Sequence, residues 1–165
     1  MTSNKHHLRI PIMSASFVNL EDCTDRKQGA ELLALGIPES TAGGMLYGSD
    51  VDISSWCLSE LLDILPVSII VLNRYTNKVT AEIALSLFFL SGCWHCVYED
   101  RRLHNILFRA SCRRKVDAVF NLCKSLSAAG YDFRDHFAFE TSITMDGANF
   151  CGGAFKGYDI TFFKH

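Results

Sequence analysis

The sequence predicts an α/β fold: one three-layer domain, residues 1–165, with a mostly parallel sheet and a C-terminal antiparallel hairpin. Three observations predict it. The stretch Asp52–Asp100 reads as helix, strand, helix, strand with short turns, the alternation that builds parallel sheets. The run VSIIVL at Val67–Leu72 is nearly all apolar and β-branched, the mark of a strand covered on both faces. Phe137–Met145 alternates apolar and polar residues up to Asp146-Gly147, a strong hairpin turn.

Taken in order, Leu8–Val18 (LRIPIMSASFV) reads as the first strand. Asn19–Arg26 is a polar turn whose Glu21, Asp22 and Asp25 suit a helix N-terminus. The helix that follows runs to about Leu35, with Ala30, Leu33 and Ala34 as its inner face, Gly36 as C-cap and Pro38 as stop. Pro38–Asp50 is a loop with a short strand at Met45–Tyr47. Its Gly43-Gly44 lacks the surrounding pattern of a phosphate loop. Ser54–Leu65 places Leu58, Leu61, Leu62 and Leu65 on one helical stripe, and Pro66 ends it. Thr80–Ser91, apolar almost all round, reads as a buried helix closed by Gly92, and Cys93–Tyr98 as the next strand. Arg102–Ala129 reads as one long helix or two joined at Cys112–Lys115, with Gly130 as C-cap. Phe150–Phe163 returns antiparallel to the preceding strand. The expected architecture is a flavodoxin-like open sheet: four roughly parallel strands extended by the hairpin.

Composition sets the outer limits. With 165 residues, 48% hydrophobic and 21% charged, the chain can bury a core of its own. A net charge of −2 argues against a polyanion binder, so nucleic acid is not an expected partner. Seven irregularly spaced cysteines suit mostly buried free thiols in a reducing compartment, and the expected location is the cytoplasm. The apolar window Val79–Tyr98 holds Glu82, Gly92 and His95 and falls short of the ~20 apolar residues of a helical span, so no membrane is expected.

Two carboxylates stand out. In SSWCLSEL, Ser54–Leu61, Glu60 falls on the same helical side as Trp56 and Cys57. An aromatic wall desolvates a carboxylate and raises its pKa, which suits acid/base or cation-stabilising work. The plainer alternative is a solvent-side glutamate. This segment resembles the SxWCxxEL segment of Toll/interleukin-receptor (TIR) domains, especially the plant type. SFVNLEDCTDRK and AELLALGI upstream are loosely similar to that family's first loop and helix, and PVSIIVLN stands where it has its next core strand. Enzymes of that family use the segment's glutamate to cleave the nicotinamide–ribose bond of NAD. The resemblance therefore implies Glu60 as catalytic residue, with Trp56 and Cys57 as its motif neighbours.

The second is Glu82 in VTAEIALS, Val79–Ser86. This segment is weakly similar to nucleoside deoxyribosyltransferases, which place a nucleophilic glutamate early in the helix after a core strand. A carboxylate at a helix start can attack an anomeric carbon, or simply answer the helix dipole. Asn73, at the end of the strand before it, joins Trp56 and Cys57 as a substrate-binding candidate.

The remaining constellations are weaker. Cys93-Trp94-His95-Cys96 is half a zinc knuckle without a second pair, and on a strand its cysteines point to opposite faces, so no metal is expected. Arg101, Arg102, Arg109, Arg113 and Arg114 form a basic face for phosphates or an acidic partner, or a solvated surface. His136 beside Asp135 lacks a nucleophile elbow. The leading expectation is a nucleotide-directed N-glycosyl hydrolase or transferase, cleaving NAD or nucleosides without a cofactor, through Glu60 first and Glu82 second. The alternative is a non-catalytic protein-interaction module, or host-directed modulator, using the basic helix or the C-terminal hairpin edge.

Overall fold

A computed structural model describes residues 22–48, 50–100, 102, 105–135, 142–146 and 158–163. The expected strand at Leu8–Val18, the turn residue Gly147 and His136 lie outside these. In chain order the elements are α1 (Arg26–Ala34), β1 (Gly44–Leu46), β2 (Ile53–Ser55), α2 (Leu58–Ile64), β3 (Ser68–Asn73), β4 (Lys78–Leu90), β5 (Cys93–Asp100), β6 (Asn105–Cys112), α3 (Lys115–Ala128), β7 (Ser142–Asp146) and β8 (Tyr158–Phe163).

The mostly parallel, flavodoxin-like sheet is not what the chain builds. Six strands lie in the order β6-β5-β4-β3-β8-β7, and every neighbouring pair runs antiparallel. β1 and β2 form a separate antiparallel pair. The reason is local. The expected helix at Thr80–Ser91 is strand β4. A strand joined to the next by a few residues can only return antiparallel, because a parallel return needs a crossover of a dozen residues or more. Asn73 makes that short return: its side-chain oxygen accepts the backbone N–H groups of Tyr75 and Thr76, and Asn77 takes a positive φ of 52°. β4 and β5 are then joined by Ser91-Gly92, both at positive φ (52° and 79°), the two-residue turn that suits a twisted hairpin.

The expected helix over Arg102–Ala129 is half strand and half helix, broken at Arg113-Arg114 where the charged run predicts a break. Its first half is β6, paired to β5. A bulge there sets Tyr98 opposite Phe108 and Glu99 opposite Ile106, so Leu107 has no opposite number. Adjacent Leu107 and Phe108 are both buried as a result, 7% and 9% exposed. That breaks the two-residue period and leaves apolar residues at helix-like spacing.

Where the structure agrees with the pattern, the physics is simple. α1 starts on an Asp25–Gln28 capping box: Gln28 N–H donates to Asp25 Oδ1 at 2.8 Å, and Asp25 N–H to Gln28 Oε1 at 3.0 Å. It ends at Gly36, φ 85°, where Ile37 N–H donates to the Leu32 carbonyl. Its buried residues are Gly29 and Leu32; of the expected inner face Leu33 is half-buried against the core, while Ala30 and Ala34 are exposed. Gly29 is glycine because a Cβ there would overlap the Ser54 carbonyl of β2. The leucine stripe of α2 is real, with Leu61 and Leu65 fully buried and Leu58 and Leu62 packed against them. β3 buries Ile69 and Val71 on one face and leaves its other residues half-buried, so it is covered mainly on one side.

One core unites these parts. Ile69, Val71, Ile83, Cys96, Tyr98, Ile160 and Phe162 from the sheet meet Leu61 and Ile64 of α2 and Val119, Leu122, Cys123 and Leu126 of α3. Each fully buried aliphatic side chain of this kind stabilises the fold by about 2 kcal/mol. Lys124 of α3 pairs with Glu31 of α1 at 2.8 Å, and Gln28 donates to Asp117 of α3 at 2.7 Å, so α1 lies alongside α3.

Candidate interaction surface

The residues singled out from the sequence do not come together in one site. Trp56 is fully buried. Its indole N–H donates to Thr41 Oγ1 at 2.8 Å and its backbone N–H to Thr24 Oγ1 at 2.9 Å. Cys57 is the N-cap of α2, and Glu60 accepts the Cys57 N–H at 2.8 Å as the carboxylate of a capping box. The other oxygen of Glu60 fills the space over Gly43, where a Cβ would overlap it. Glu60 is therefore a helix-start residue wedged against a glycine loop. The signal was in the sequence: Cys57 to Glu60 has the three-residue capping-box spacing.

Glu82 sits on β4, exposed, opposite Ile70 of β3, and not at a helix start. Asn73 is consumed by its turn. The arginines do not share a helix face. Arg101 lies outside the described residues and Arg102 is on a turn. Arg109 is on β6, Arg113 follows it, and Arg114 caps α3. Arg114 donates to the Cys23 carbonyl at 3.1 Å and reaches Asp117 at 3.4 Å. Arg109 and Arg113 are exposed and make no ion pair among the described residues. Cys96 is buried in the core and Cys93 half-buried on the opposite face of β5, and no described group of three or more His, Cys, Asp or Glu is placed to hold a metal.

What the fold does bring together is the far end of the β4–β5 hairpin. β3 begins at Ser68 and pairs with β4 only as far as Ala84. Pro66 explains the limit: the chain arrives there from α2, with Val67 N–H already given to Phe163 of β8. β4 runs on for Leu85–Leu90 with β5 as its only described strand neighbour. This overhang has the sequence LSLFFL and carries no charge. Phe89 is 57% and Leu90 56% exposed.

The overhang is held stiff. His95 stacks on Phe88, ring centroids 5.3 Å apart. Its Nε2 donates to the Leu90 carbonyl at 3.1 Å, and its Nδ1 lies 2.7 Å from the Ser111 hydroxyl. The imidazole thus ties the tip of β4 to β6 across β5. On the other face Phe89 packs on Trp94 at 5.4 Å, and the Lys115 ammonium lies 4.6 Å above the Trp94 ring. None of Phe88, Phe89, Leu90 or Ser111 was a sequence candidate. The signal that would have found them is the alternation Ala81, Ile83, Leu85, Leu87 against Glu82, Ala84, Ser86.

A concavity of about 390 Å³ lies between the C-terminal ends of α1 and α3, lined by Gly36, Gly130, Tyr131, Asp132 and Arg134. Arg134 lies over Gly36 and forks onto Asp132 at 2.8 and 2.9 Å, which closes off its polar groups.

No protein-family model, no curated protein and no solved structure matches the chain. No helix of the described residues is long and apolar enough to cross a membrane.

Proposed function

We propose that the protein is a non-catalytic interaction module that docks by adding a strand to the β4 overhang. Its first partner is a second copy of itself. One observation carries the reading: among the described residues Leu85–Leu90 is paired on one side only, it is uncharged, and it ends in two residues more than half exposed. Backbone N–H and C=O groups on an open strand edge are a template for another strand, and an apolar run without charge leaves that template unguarded. The charge of the edge selects the occupant. An uncharged strand pairs best with another uncharged strand, and LSLFFL is such a strand. Two copies related by a two-fold axis place it antiparallel to itself, a closed, isologous contact.

The glutamate-based N-glycosidase reading draws little support from its residues. Glu60 spends one oxygen on the helix cap and lays the other over Gly43, while Glu82 stands on an open strand.

Sedimentation velocity across micromolar to millimolar protein tests the proposal, beside Leu90→Lys. The unmodified protein should shift from monomer to dimer with concentration. Leu90→Lys should weaken the dimer at least tenfold with an unchanged circular dichroism spectrum, because it puts on the approaching edge a charge that pairing must desolvate. A monomer at every concentration, or a dimer indifferent to Leu90→Lys, overturns it.

A further inference from the structure

We propose that Cys23 and Cys57 form a modification site: a thiol pair that a small-molecule disulfide, such as glutathione disulfide, closes into a protein disulfide.

Geometry carries this. Cys23 and Cys57 are opposite one another in an isolated antiparallel bridge. Thr24 N–H donates to the Trp56 carbonyl at 2.9 Å, one residue to the side of the pair. That makes Cys23–Cys57 the non-hydrogen-bonded kind of antiparallel pair, whose Cα atoms lie about 4.5 Å apart. A disulfide accepts Cα separations of roughly 4.4–6.8 Å, so the bond needs no rearrangement of the backbone. Both residues are free thiols. Cys23 is 4% exposed and Cys57 only half-buried, which assigns their roles: Cys57 receives the reagent and Cys23 resolves it. Of the other described cysteines, Cys96 and Cys123 are fully buried and closed to reagents.

The steps balance. The Cys57 thiolate attacks one sulfur of glutathione disulfide, breaking its S–S bond and expelling one glutathione thiolate. The Cys23 thiolate then attacks the Cys57 sulfur of the mixed disulfide and expels the second. The two protein thiols are oxidised, glutathione disulfide is reduced to two thiols, and these take up the two protons the cysteines gave.

The environment sets the kinetics. Burial first, and then the neighbouring Cys23 thiol, push Cys57 up to about 12. Little thiolate exists near neutral pH, so closure is slow there and quickens as pH rises. The same property makes Cys57 a poor leaving group, so the disulfide, once made, resists reduction. Closure pins residues 22–24 to the start of α2 and locks the loop holding α1, β1 and β2.

The test is to incubate the full-length protein with glutathione disulfide at pH 8.5, alkylate remaining thiols in denaturant, and map tryptic peptides by mass spectrometry. The peptides of Cys23 and Cys57 should be joined. The joined protein should melt roughly 10 °C higher, as a loop of this size predicts. Cys23→Ser should stop at the mixed disulfide with glutathione on Cys57. A different pairing, or glutathione retained on Cys57 in the unmodified protein, overturns the proposal, and the mapping on unmodified protein holds whether or not the variant folds.

Discussion

Among the described residues the sheet has two edges without a further strand at its hairpin end, and they are built differently. β6 is the outermost strand on one side, and it carries Arg109 with Arg113 just beyond. β4 has described strands on both sides only at Ala84; beyond it Leu85–Leu90 pairs with β5 alone, and there it carries no charge at all. Charged side chains on an edge strand oppose the approach of a second strand, because the charge must be desolvated or meet its like. One edge is thus closed to pairing and the other left open. An edge that is wet and charged needs no partner; an edge that is apolar and bare is stable alone only at some cost.

The comparison breaks most visibly if the guard is removed. Arg109→Leu with Arg113→Leu should give the protein two adhesive edges. Contacts that do not close on themselves propagate, so light scattering should report open-ended assembly in place of a dimer. Next in size is a core control. Trp56→Ala removes a fully buried indole and its hydrogen bond to Thr41 and should cost about 3–5 kcal/mol in chemical denaturation, without changing which edge pairs.

A third expectation concerns pH. Burial pushes Cys96 up to about 12, raises Cys123 through burial and then Cys96, and raises Tyr98 and Tyr131, again chiefly through burial. Each group holds its proton more tightly when folded than unfolded. Their contribution is complete below the ordinary thiol range and is lost as pH rises above about 9 toward 12. Denaturation midpoints should therefore fall steadily in that window. The core beneath the sheet should fail there before either edge changes character. The smallest effect is Arg74→Ala, which removes the partly exposed ion pair with Asp159 at 2.7 Å and should cost under about 1 kcal/mol.

How much was legible in the sequence follows from which signals were local. The leucine stripe of α2, the second half of the Arg102–Ala129 helix, the strand after Pro66 and the pairing of the last two strands were readable. Each rests on a pattern that neighbours do not alter. Thr80–Ser91 was misread because apolar residues fill both faces of an overhanging strand, which mimics a buried helix. Residues 105–112 were misread because the bulge at Leu107 puts two apolar residues side by side. The error at β4 then reversed the direction of the whole sheet. At the candidate sites, residue type did not foretell the local roles the fold gives these residues: Glu60 is a cap, Trp56 a core anchor and Asn73 a turn residue. The hairpin tip could not be read from chemistry-bearing residues, since it has almost none.

The two tryptophans sit in opposite surroundings, and that makes the protein its own spectroscopic gauge. Trp56 is sealed from solvent, its indole N–H held by Thr41. Trp94 is half-buried at the hairpin, under the Lys115 ammonium and beside Phe89. Emission from Trp56 should be constant in wavelength, while that of Trp94 should move to the blue and lose access to iodide when a strand covers the tip. A Trp56→Phe protein would then report occupancy of the overhang without a label, and a Trp94→Phe protein would report only whether the chain is folded.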